Sequence, residues 1–251
     1  KMADLTFKGT TSKVLLEIAK GATSKIDADT KVTITDNAYT SADLLSVVTA
    51  FGGLNNKVTL EQTAASSPSH FIDTSAKLIT VLEGVKKYTG ALTVYDSTSV
   101  GKEYEINAAD LNKIASLTTG KVTATLDPAT TIDNDTVNDL KDVKSTDNIT
   151  FVPTDTNLVG IGDINALISL NKIISKANFA AINQIDGAAN DVSAVKQALA
   201  ILKDNAAIAV NILPASSPIS AADANAIAKA TKGIVTATIK DGGVAATLKA
   251  L

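Results

Sequence analysis

Two registers of apolar residues alternate along this chain. Leu44, Leu45, Val47, Val48 and Phe51 recur at the three- and four-residue steps of a helix, as do Leu78, Ile79, Leu82 and Val85, and Val192, Val195, Leu199 and Leu202. Between such stretches apolar residues alternate with threonine: Val32-Thr33-Ile34, Val58-Thr59-Leu60, Leu92-Thr93-Val94, Val122-Thr123-Ala124, Ile149-Thr150-Phe151 and Val235-Thr236-Ala237. A period of two predicts a strand with one buried face. Ile208-Ala209-Val210 reads as a seventh strand with alanine in the threonine place. Successive central positions lie 26, 34, 30, 27, 59 and 27 residues apart. A degenerate copy around Phe179 divides the long step and gives eight units with a mean period of about 29 residues.

The repeat is clearest in Asn107–Leu126 and Ser220–Ile239, which are identical at twelve of twenty positions. Asn107 and Ser220 are predicted helix caps, with Asp110 and Asp223 three residues on, and Thr40 and Asp43 share that spacing. Gly90, Gly120 and Gly233 follow the last helical turn, where a left-handed residue is expected. Val122, Ala124 and Leu126 are assigned to the buried face of their strand, and Thr123 and Thr125 to the open one.

Neither a helix nor a strand of this kind buries its apolar face alone. Stacking the units side by side predicts an α/β solenoid of about eight helix–strand repeats, with one parallel sheet and all helices on one face. A doubly wound α/β domain is the competing fold, but it does not require similar strands at a fixed period. Residues 1–251 are read as a single repeat domain. Lys1 precedes Met2, and Gly243–Leu251 reads as the opening of another helix, so the expectation is a segment of a longer chain.

Composition narrows the chemistry. All 23 basic residues are lysine, the net charge is −3, and there is no cysteine, tryptophan or arginine. Thiol catalysis, disulfides and cysteine-ligated metals are excluded. Without arginine, and with nine aromatic residues, the chain lacks the basic footprint and stacking surfaces of a nucleic-acid binder. No apolar run is long enough for a membrane-spanning helix, so membrane insertion is not expected.

The runs ADLNKIASLTTGKVTATL, ISAADANAIAKATKGIVTATI and AAINQIDGAANDVSAVKQAL resemble the degenerate Ala/Thr/Asp-rich repeats of large secreted bacterial surface proteins, cyanobacterial ones among them. That resemblance implies an acidic, cysteine-free protein exported to the cell surface or extracellular space. It implies no catalytic residues. The glycine-aspartate nonapeptide that binds calcium in companion domains is absent.

Individual polar clusters add little catalytic signal. His70, the only histidine, lies near Ser67, Ser69 and Asp73 without the turn of a nucleophile elbow, and reads as a solvated loop residue. Carboxylates cluster at Asp27–Asp29, Asp133–Asp142 and Asp155. Asp133-Asn134-Asp135 offers oxygens for calcium but lacks the glycine and distal glutamate of an EF-hand, so helix capping is the preferred assignment. Gly160-Ile161-Gly162 lacks the remaining residues of a phosphate loop and reads as a tight turn.

The most regular surface feature is the threonine column Thr33, Thr59, Thr93, Thr123, Thr150 and Thr236, expected on the sheet face away from the helices at strand spacing. The neighbouring outward positions, Thr35, Glu61, Tyr95, Thr125, Val152 and Thr238, form no second file. The leading expectation is therefore a non-enzymatic structural or adhesive surface protein that self-associates, without a cofactor other than possible calcium. The alternative is a module that binds a surface glycan or an ordered lattice through the threonine-bearing face. A hydrolase built on paired carboxylates is the third reading.

Overall fold

Helices begin in the computed structural model where a side-chain oxygen meets the first free amides. The structure describes residues 6–26, 30–36, 40–50, 58–60, 70–85, 88–96, 105–203, 207–213 and 218–240. Phe51, Asp27–Asp29, Ser67, Ser69, Glu61 and Gly243–Leu251 lie outside them, and for Thr59 only the backbone is described. Asn107 accepts a hydrogen bond from the Asp110 amide at 2.8 Å, and Ser220 accepts one from the Asp223 amide at 3.0 Å. Thr40 and Asp43 bond reciprocally, as a capping box should.

The chain is an α/β protein with eight α-helices among the described residues. Among the described residues its paired strands run parallel and fall into three sheets, where the sequence led to one. The strands are only two to five residues long, so each ladder contains few bonds. Two compact units divide the chain: Lys1–Thr125 with Asp142–Ile149, and Leu126–Lys141 with Thr150–Leu251.

In the first unit, β1 (Thr6–Gly9), β2 (Lys31–Ile34) and β3 (Val58–Leu60) form one sheet in sequence order. β4 (Phe71–Asp73), β5 (Leu92–Val94) and β7 (Val122–Leu126) follow in another, with β6 (Glu105–Ile106) also paired to β7. Helices α1 (Thr11–Ile18), α2 (Ser41–Ala50), α3 (Ser75–Gly84) and α4 (Ala108–Leu117) pack each against the next. Their apolar stripes, with Leu44, Leu78, Leu82, Leu111 and Ile114, are buried together with Val32, Ile34, Leu92, Val94 and Val122 of the strands. Phe71 and Tyr88 stack with ring centroids 4.6 Å apart.

The second unit repeats the plan. The end of β8 (Asn148–Phe151) pairs with β10 (Lys176–Ala177), while β9 (Asn157–Val159), β11 (Gln184–Gly187), β12 (Ala209–Ile212) and β13 (Val235–Thr236) form a sheet in that order. α5 (Asn134–Asp139), α6 (Gly160–Ile173), α7 (Val192–Ile201) and α8 (Ala221–Ala230) again pack in succession. Phe179 is buried edge-on against Phe151, in the stretch where the sequence suggested a degenerate copy.

Two local expectations need correction. The left-handed glycines among the described residues are Gly21 and Gly160, not Gly90, Gly120 or Gly233. Helices α4 and α8 end instead on extended threonines. Thr118 donates to the Tyr88 carbonyl and accepts from the Gly120 amide; Thr231 does the same with Ile208 and Gly233. Glycine follows because a neighbouring backbone passes too close: a Cβ on Gly120 would lie 1.8 Å from the Gly90 oxygen, and one on Gly233 would lie 2.1 Å from the Ile208 oxygen. The second correction concerns register. Asn211, not Ala209, stands opposite Thr236, and Ala209 stands opposite Gln184.

Candidate functional site

Burial alternates strictly along the longer strands, so one sheet face meets the helices and the other faces away. Thr33, Thr93, Thr123, Thr150 and Thr236 lie on the outer face, but not as a continuous column. Thr33 stands opposite Thr59, and Thr93 opposite Thr123. Thr93 is also flanked by Ile72 of β4, Thr150 by Lys176, and Thr236 by Asn211. In the first unit His70, just ahead of β4, bonds through Nε2 to the Thr93 hydroxyl at 2.8 Å, and Ile72 and Tyr95 are exposed beside them.

The second unit carries a denser polar group on its outer sheet face. Asp186, on β11, accepts from Asn211 Nδ2 at 2.7 Å, from Asn157 Nδ2 at 3.1 Å and from Gln184 Nε2 at 3.0 Å. Partial burial of the carboxylate opposes its charge, but the three donors together outweigh this and hold its pKa below the usual aspartate value. The Asn157 carbonyl oxygen is inaccessible and accepts no hydrogen bond. Exposed Val159 stands directly opposite Asp186, and exposed Leu213 lies two residues beyond Asn211.

Sequence reasoning missed this group because it followed threonine. The outward polar residues of β9, β11 and β12 are Asn157, Asp186 and Asn211, spaced close to the repeat period. That spacing was the available signal.

Several other carboxylates join one repeat to another. Asp36 accepts from both the amide and hydroxyl of Thr11, at the start of α1. Asp73 accepts from the Ser41 hydroxyl at the start of α2, and Asp96 from the Ser75 amide at the start of α3. In the second unit Asp155 accepts from the Ile132 amide, beside the cap of α5. Asp36, Asp73 and Asp96 lie at or just beyond the end of a strand, and their donors begin the helix of the preceding repeat; Asp155 lies in the connection between β8 and β9, and its donor Ile132 just precedes the α5 cap.

Asp133 is itself that cap. Hydrogen bonds from the Thr131 hydroxyl and the Thr136 amide lower its pKa, and Asp135 lies in the helix it opens. Asp142 joins Asn112 by two bonds. Asp147 is buried, accepting from the amides of Val122 and Lys144. Gly160, with φ of 75°, makes the turn from β9 into α6.

Among the described residues, no group of three or more histidines, aspartates or glutamates is placed to hold a metal ion. Among the same residues, no helix is long and apolar enough to cross a membrane. The sequence matches no protein-family model, and no curated protein is significantly similar to it.

Proposed function

We propose that this chain is a non-enzymatic structural or adhesive protein of the cell surface or extracellular space, an α/β solenoid of about eight helix–strand repeats that self-associates. One observation carries the reading: the strand-end carboxylate bonded to the preceding helix start recurs at Asp36, Asp73 and Asp96, and Asp155 makes a similar bond to the residue ahead of the α5 cap. A contact made again and again between neighbouring units is what an extended stack requires, whereas a catalytic site needs unlike groups brought together once. The cysteine-free composition and the resemblance of the repeats support a location outside the cell. Light scattering of the purified chain over a concentration series, with and without calcium, tests it. Growth in mass with concentration is expected; a constant monomer mass in both series contradicts self-association.

Asp186 favours a second reading, a shallow glycan platform. Its carboxylate holds the side-chain amides of Asn157, Gln184 and Asn211, and amides so held present donors and acceptors to sugar hydroxyls. A glycan array probed with the native chain and with Asp186→Asn tests this, and no signal from the native chain removes it.

A further inference from the structure

The outer face of β11 departs from the threonine pattern. The outward positions of β7 are Thr123 and Thr125, whereas those of β11 are Gln184 and Asp186, and the inward alternation that stacking needs is the same in both. The Asp186 carboxylate is fully engaged. Oδ1 accepts from Asn211 Nδ2 at 2.7 Å and Gln184 Nε2 at 3.0 Å; Oδ2 accepts from Gln184 Nε2 at 3.0 Å and Asn157 Nδ2 at 3.1 Å. Two bonds to each oxygen fill the four acceptor sites of a carboxylate. No lone pair is left for a cation or for a ligand hydroxyl.

The three amides are left in different states. Asn157 has its amide turned to Asp186 and its carbonyl oxygen enclosed without a donor. Reversing that amide would set the oxygen against the carboxylate, so its orientation is fixed at the cost of an unsatisfied acceptor. The Gln184 and Asn211 oxygens differ: neither accepts a hydrogen bond from a described residue, and neither is enclosed. Exposed Val159 stands directly opposite Asp186, and exposed Leu213 lies two residues beyond Asn211. Open amide acceptors flanked by aliphatic side chains match a sugar ring, which carries hydroxyl donors on its rim and C–H groups on its faces.

We infer that Gln184 and Asn211 make the direct contacts of the glycan platform, that Asp186 is a positioning residue which touches no ligand, and that the ligand is an uncharged sugar bound without a cation. This rests on the glycan reading above and names its ligand class. Partial burial of Asp186 is outweighed by its three donors, so the carboxylate is ionised at neutral pH. A carboxylate or sulfate carried on a sugar would meet that charge at close range. A calcium ion bridging sugar hydroxyls would need carboxylate lone pairs that the amides already occupy.

A glycan array carrying uncharged, uronic-acid and sulfated oligosaccharides, probed with the native chain in calcium and again in EDTA, tests the ligand class. Signal on uncharged glycans in both buffers is expected. Signal only on acidic glycans, or only with calcium, overturns this inference and leaves the glycan reading standing; no signal at all removes both. Calorimetric titration with the strongest uncharged hit then assigns the residues, with thermal melts to show that each variant is folded. Gln184→Ala and Asn211→Ala should each weaken binding about tenfold. Asp186→Asn should weaken it at least as much, because one carbonyl oxygen in place of two cannot hold both amides. Asn157→Ala removes only a brace and should weaken binding by less than about threefold. In nitrogen-15 spectra of the native chain, the side-chain amide signals of Gln184 and Asn211 should shift on addition of the sugar. Signals that stay still while the sugar binds, an Asn157→Ala loss equal to that of Asn211→Ala, or native binding by folded Asp186→Asn overturns the assignment.

Discussion

Asp36 holds the start of a helix 25 residues before it, taking hydrogen bonds from both the amide and the hydroxyl of Thr11. The bond does two things together. It satisfies an amide that the helix itself cannot, and it fixes the distance between one repeat and the next. Replacing Asp36 with Ala should cost about 1–2 kcal/mol of unfolding free energy. Thr11→Ala should cost less, because the backbone amide still reaches the carboxylate. Urea melts of both variants check the order.

Glycine at the repeat junction is a matter of space. Gly120→Ala forces a Cβ into the Gly90 carbonyl, and Gly233→Ala does the same at Ile208, so each should cost more than about 3 kcal/mol or prevent folding. Gly162→Ala, whose nearest neighbour is the Asn134 side chain at 3.6 Å, should be tolerated within about 1 kcal/mol. Expression yield and thermal melts separate these outcomes.

The helices, their caps and the buried strand faces were legible because each follows a local period or a three-residue spacing. The junctions were not. A glycine after Thr-Thr or Thr-Lys looks like a left-handed helix stop, and only the neighbouring backbone reveals that it is there to permit close approach. Ala209 and Asn211 have the same parity, so alternation alone cannot decide which of them stands beside Thr236. The strands Phe71–Asp73 and Asn157–Val159 are too short for a period to show. Bonds such as Asp96 to Ser75 join residues whose proximity is set by stacking, not by sequence distance.

The two sheet faces should respond differently to substitution. Leu126→Ala removes a fully buried side chain and should cost about 2–5 kcal/mol. Ile239→Ala, at the equivalent half-buried position, should cost visibly less. Thr123→Val, on the outer face, should change stability by less than about 1 kcal/mol. Denaturant melts of the three variants test this; a loss for Thr123→Val equal to that of Leu126→Ala would mean that both faces are covered.

Acid should weaken the fold through its bonded carboxylates. At Asp73 partial burial opposes ionisation, but the Thr74 amide, the Ser41 hydroxyl and Lys77 outweigh it and lower the pKa, as donors also do at Asp133 and Asp186. Groups whose folded pKa lies below the unfolded value stabilise fully above the unfolded value, about 3.9 for aspartate, and lose that contribution as pH falls through the folded value. Melting temperature should therefore vary little with these groups between about pH 7 and pH 5 and drop below about pH 4. Asp73→Asn should lower stability at neutral pH and flatten the acid limb; an acid limb unchanged in that variant would show that Asp73 contributes nothing to it.

Electron microscopy of the native chain at increasing concentration tests the proposed self-association most directly. Linear assemblies of constant width that lengthen with concentration are the expected result. Isolated particles of one chain at every concentration would contradict it.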